Sequence, residues 1–114
     1  MEVIEKHPNY IISDDGDVYR KERSGLFKLK PDWSNGYARV DIDGVKEYIG
    51  KMVLETFGPP KLSPIERLFY IDGDKTNNAI DNLIWLTPSE IKLYSVYTLE
   101  YRTKLLSNYC RARD

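Results

Sequence analysis

The stretch from Tyr70 to Trp85 constrains this chain more than any other. Arg67 to Ile71 is a short apolar run, Asp72 to Asn82 is dense in Asp, Gly and Asn, and Leu83-Ile84-Trp85-Leu86 is apolar again. Apolar runs of this length on either side of turn chemistry predict strand, tight polar loop, strand. Thr87-Pro88-Ser89-Glu90 follows. Thr87 can accept from the first free helical amides, Pro88 suits the first helical position, and Glu90 can reach back to the cap amide. A helix therefore starts at Pro88, and the unit is strand, loop, strand, helix.

The residues that carry this pattern are Ile71, Asp72, Gly73, Asp74, Lys75, Asn77, Asn78, Ile80, Asn82, Leu83, Trp85, Thr87 and Glu90. At this spacing they resemble the ββα-metal unit of HNH endonucleases, the His-Me finger family. The match is long and its spacing fixed, which makes it far more specific than a short motif. The resemblance places the family's general-base histidine at Tyr70, one metal ligand at Phe69 and a second at Ile91. Phe and Ile offer a divalent cation no oxygen or nitrogen. A tyrosine, with an ordinary pKa of about 10, is a poor base near neutrality. Asn82 is retained, and in the family it mainly braces the loop. The resemblance thus implies a kept scaffold, formed by Asp72, Gly73, Asp74, Asn77, Asn78 and Asn82, without the family's chemistry. No catalytic residue, metal or other cofactor is expected.

The remainder of the chain extends the resemblance. Pro8, Tyr10, Ile12, Ser13, Gly16 and Val18 follow the pattern of the NUMOD4-type module found in front of HNH domains, with Val3 and Ile4 where that family has Trp and Ile. Pro8 to Ser13 and Asp14 to Tyr19 read as two strands around a glycine turn. Leu26 to Lys30 is an alternating strand. Tyr37 to Ile42 places Ala38, Val40 and Ile42 inward and Tyr37, Arg39 and Asp41 outward. Asp43-Gly44 is a strong hairpin signal. Gly50 to Phe57 reads as a short amphipathic helix stopped by Gly58-Pro59-Pro60. Lys51, Val53, Glu55 and Phe57 keep the family's helix pattern, but its histidine falls on Gly50. From Pro88 helix is predicted to about Leu106, with Tyr94, Tyr97 and Tyr101 at helical spacing.

The expected fold is α+β: an antiparallel β-module over residues 1–49, then a ββα unit with a long C-terminal helix over 50–114, packed as one compact domain. Trp33 and Trp85 are expected to be core or half-buried, and His7, the single histidine, to lie at the surface. Asp72, Asp74 and Asn77 loosely resemble the start of an EF-hand loop. Asn77 stands where that loop needs Gly, however, and Leu83 where it needs Glu, so calcium is not expected.

With 114 residues and a net charge of −1, composition gives no global support for binding nucleic acid; a local basic face would have to supply it. One cysteine, Cys110, excludes an internal disulfide and a cysteine zinc cluster. No apolar run approaches the ~20 residues of a membrane helix, and the N-terminus lacks a signal-peptide pattern. A cytoplasmic protein is expected, phage-encoded if the combined module architecture is a guide. Three functions follow. The first is a protein-binding module that blocks or modulates a host or defence protein. The second is a remnant that occupies DNA without cutting. The third is a nuclease with unusual ligands, completed by a partner. Tyr94, Tyr97 and Tyr101, with Arg102, Lys104, Arg111 and Arg113, form the candidate partner surface.

Overall fold

The computed structural model describes residues 1–97 and 100–101. Four short strands, β1 (Glu2–Ile4), β2 (His7–Ile12), β3 (Val18–Glu22) and β4 (Gly25–Lys28), form an antiparallel sheet in chain order. A hairpin of β5 (Arg39–Ile42) and β6 (Val45–Tyr48) follows. Its turn has positive φ at both Asp43 (54°) and Gly44 (88°), the geometry whose twist matches the flanking strands. Helix α1 (Ile49–Phe57) then leads through a connector to β7 (Arg67–Tyr70), which pairs antiparallel with β8 (Leu83–Leu86). A single 3₁₀ turn at Ile80–Asn82 leads into β8, and α2 (Pro88–Ser95) closes the described structure.

Helix α1 is the hub. Its Ile49, Met52, Val53 and Leu54 join Ile4, Tyr10, Ile12 and Val18 of the four-stranded sheet, Val40 and Ile42 of the hairpin, and Leu83 and Trp85 of β8 in one cluster. Residues of both expected modules share it. Short strands with one apolar face need such a partner, because an isolated hairpin is marginal in water.

The β7–β8 hairpin is covered on both sides, which explains why all four residues of β8 are buried. Side chains alternate across a strand. Leu83 and Trp85, with their cross-strand partners Tyr70 and Leu68, turn toward α1. Ile84 and Leu86 turn the other way. With Ile71 they make a second cluster, against which Phe69, Ile91 and Tyr94 pack. Ile91 and Tyr94 are three apart and so share one face of α2.

The N-terminus of α2 is a complete capping box. The Glu90 amide donates to Thr87 Oγ1 at 3.2 Å, and the Thr87 amide donates to Glu90 Oε1 at 2.9 Å. Its C-terminus corrects the sequence reading, because the long C-terminal helix expected to run from Pro88 to about Leu106 is interrupted after Ser95. There the Ser95 hydroxyl donates to the Ile91 carbonyl at 2.6 Å, and the Val96 and Tyr97 amides reach carbonyls only three residues back. Ser and Val are weak helix formers, and three-residue hydrogen bonds tighten and close a helical turn. Trp33 is a second correction. It is 44% exposed, in the turn region before β5 rather than in the core. His7 is less exposed than expected: its Nε2 is buried without a hydrogen bond, 3.6 Å from Glu47 Oε1. No helix among the described residues is long and apolar enough to cross a membrane.

Candidate functional site

The loop between β7 and β8 is tied together by its own side chains. Asn82 is 6% exposed. Its Oδ1 accepts from the Asp72 amide at 2.9 Å, and its Nδ2 donates to Asp72 Oδ1 at 2.8 Å and to the Asn77 carbonyl at 2.9 Å. Asp72 Oδ1 also accepts from the Asp74 amide, and Asp72 Oδ2 from Asn77 Nδ2 at 3.0 Å. Asp74 Oδ1 holds the amide and hydroxyl of Thr76. Gly73 turns the chain with a φ of 76°, donating to the Tyr70 carbonyl. The Ile80 amide donates to the Asp14 carbonyl and so anchors the loop to the N-terminal module. Burial alone would raise the Asp72 carboxyl, but its hydrogen-bond donors outweigh burial and hold it below the usual carboxylate range. Both carboxylate oxygens of Asp72 thus take part in holding the loop.

Phe69, Tyr70 and Ile91 part company in space. Phe69 and Ile91 both pack, partly buried, against the second apolar cluster of Ile71, Ile84 and Leu86. Tyr70 lies on the opposite face of β7. Its hydroxyl donates to Asn78 Oδ1 at 2.8 Å, and its ring lies 6.2 Å from that of Tyr37. Half-burial, with a smaller contribution from Tyr37, pushes the phenol up to about 12, so it stays protonated across the neutral range. Gly50 matters here because a larger residue would have to displace the Tyr70–Asn78 pair. A Cβ at that position would stand 2.5 Å from Tyr70 Oη and 2.8 Å from Asn78 Oδ1. Among the described residues, no three His, Cys, Asp or Glu side chains converge as a metal-holding group.

On the Tyr70 side, a cleft of about 560 Å³ opens between the β5–β6 hairpin, α1 and β7. Asn35, Tyr37, Tyr48, Lys51, Lys61 and Arg67 contribute to its walls. Lys61 Nζ lies 4.6 Å from the Trp85 ring, and Lys75 Nζ 4.6 Å from the Tyr37 ring. The sequence reading missed this cleft. Its cations come from four separate segments, and the outward assignment of Tyr37 was the only local sign of it.

The tyrosine stripe is only partly a surface. Tyr94 packs against the second cluster, whereas Tyr101 is 52% exposed. The rings run edge to face, with centroids 5.9 Å apart for Tyr94–Tyr97 and 5.2 Å for Tyr97–Tyr101. Arg102, Lys104, Arg111 and Arg113 lie outside the described residues.

This arrangement of strand, knitted loop, strand and capped helix behind an antiparallel β-module is a fold shared with a solved HNH homing endonuclease. The structure superposes on that of the HNH homing endonuclease I-HmuI, solved in a study of its DNA binding and cleavage, with a TM-score of 0.67 and 22% sequence identity, over 93% of this chain and 65% of that one. In sequence, the chain is 34% identical over 107 residues to the uncharacterized HNH endonuclease L245 of Acanthamoeba polyphaga mimivirus, spanning 90% of this chain and 31% of that protein. The chain thus corresponds to less than a third of the mimiviral protein. No family model matches it.

Proposed function

We propose that this chain is an HNH endonuclease relative that binds DNA without cutting it. The observation that carries the reading is the packing of the partly buried Phe69 and Ile91 against one apolar cluster, at the two positions where the HNH resemblance implies metal ligands. Such side chains do not fit a divalent cation, because they present it no donor atom. The implied base position adds to this, since the Tyr70 hydroxyl is hydrogen-bonded to Asn78 and holds its proton far above neutrality. Hydrolysis of a phosphodiester needs both a polarised phosphate and an activated water. A similar scaffold beside a cationic cleft favours a binding role, and the I-HmuI neighbour, which binds and cleaves DNA, makes DNA the natural partner.

Supercoiled plasmid incubated with the chain and magnesium or manganese is expected to remain supercoiled, while its mobility on a native gel falls in a salt-dependent way. Metal-dependent nicking that co-purifies with the chain, and is altered by Tyr70→Phe, would contradict the reading.

A second reading, a protein contact through the end of the chain, has its own support. Leu93, Val96 and Tyr101 are 50%, 77% and 52% exposed, an unusual apolar content for the outer side of a short helix and its exit. A modulator of a host or defence protein would use such a surface. The same gel decides between the two, because a chain that leaves the plasmid unshifted at low salt favours the protein contact. A phage origin rests on the sequence resemblance alone; the mimiviral relative is in keeping with a viral source.

A further inference from the structure

We infer that the cleft beside Tyr70 holds an unpaired strand of DNA, so that the chain prefers single-stranded DNA to duplex. The inference rests on the proposed DNA-binding role and specifies its substrate. Three cations line the cleft, Lys51 on α1, Lys61 in the connector and Arg67 on β7, and a fourth, Lys75 in the β7–β8 loop, lies over the ring of its wall residue Tyr37. All four are exposed, and among the described residues none is in an ion pair. Elsewhere on the molecule Lys6, Arg20, Lys28, Arg39 and Lys46 each face a carboxylate, while the exposed Lys21, Arg23, Lys30 and Lys92 also form no ion pair among the described residues. The one acid lining the cleft, Glu66, is 4% exposed and accepts from the Leu62 amide at 2.6 Å. In a chain of net charge −1, this is a local concentration of positive charge, although Glu5 and Glu55 line the adjoining groove beside Lys51 and Lys61.

The cations alone would suit any polyanion; the aromatic side chains narrow the choice. Tyr37 and Tyr48 stand edge to face with centroids 6.1 Å apart, and Tyr48 is 42% exposed at the rim. Its hydroxyl is fixed by Asn35 Nδ2 at 3.0 Å, which holds the ring in place. A fixed, accessible aromatic ring bordered by unpaired cations is how proteins grip single strands: bases stack on the ring and phosphates follow the cations. Bases in a duplex are stacked on one another and offer no free face to a side wall. The volume, about 560 Å³, is that of a small-molecule site and accommodates an extruded nucleotide rather than a helix.

The test is fluorescence anisotropy of the whole chain with a labelled oligonucleotide, unpaired or annealed to its complement. Binding is expected to be about 10-fold tighter to the single strand. Tyr48→Ala is expected to weaken single-strand binding about 10-fold and duplex binding markedly less, so that the preference for the single strand shrinks. Lys51→Gln, an exposed change that does not threaten folding, should flatten the single-strand salt dependence by about 0.7 in log–log slope. Equal or tighter binding to duplex, or indifference of single-strand binding to both variants, would overturn the inference while leaving DNA binding intact. Binding to neither form would overturn the proposed function along with it.

Discussion

Replacing Phe69 with Asp and Ile91 with Asn together is expected to lower the stability of the chain by about 2–4 kcal/mol, measured by urea denaturation. The double change returns to these positions the residue types that the HNH resemblance implies. Two terms add. The loss of the Phe69 ring and the Ile91 side chain uncovers Ile71, Ile84 and Leu86, which are 5%, 3% and 0% exposed. The new carboxylate and amide must also sit against that apolar surface, where polar groups without partners are costly. Phe69 and Ile91 are themselves only partly buried, so the expected effect falls short of that for a fully buried aromatic. A midpoint unchanged within error would mean that the cluster does not depend on these side chains, and would contradict the proposal that packing stands here in place of metal binding.

Asn82→Ala is expected to destabilise the chain by about 1–3 kcal/mol. Three hydrogen bonds disappear at once, leaving the Asp72 amide, the Asn77 carbonyl and one Asp72 oxygen short of a partner in a largely enclosed loop. The effect should concentrate there, with faster hydrogen exchange from Asp72 to Asn82 while α1 keeps its protection. A melt that matches the wild type would show that water replaces the side chain at no cost, and that the loop is not braced as the geometry suggests.

The two sites differ in how far the sequence revealed them. The loop was legible because its hydrogen bonds are short in sequence. Asp72 to Asp74, Asp74 to Thr76 and Asp72 to Asn77 all lie within five residues, and Gly73 marks the positive φ. The cap of α2 was legible for the same reason, since Thr87 and Glu90 satisfy each other across one turn. The Asp43-Gly44 turn likewise announces its own conformation.

What depended on tertiary packing was not legible in the same way. The alternation of β7 is visible in the sequence, but not that Phe69 would go with Ile91 while Tyr70 went with Asn78. Those pairings were set by which neighbour covered each face of the hairpin. The end of α2 was missed because tyrosine spacing suggested a continuous helix, while Ser95 and Val96 carried the weaker signal that closed it. Strand β1 was missed because Glu2–Ile4 is too short for a periodicity and exists only through pairing with β2. The cleft required Lys51, Lys61, Arg67 and Lys75 to meet from four segments, which no local pattern encodes.

The proposal that the ββα unit has an HNH-like scaffold without holding a metal is most directly tested by titrating manganese into isotopically labelled protein and following backbone amide signals by NMR. The paramagnetic ion broadens signals near any site it occupies, whether or not catalysis follows. The amides of Phe69, Tyr70, Asn82 and Ile91 are expected to keep their intensity at manganese concentrations equal to that of the protein. Saturable broadening centred on those four residues, reversed by excess magnesium, would contradict the account.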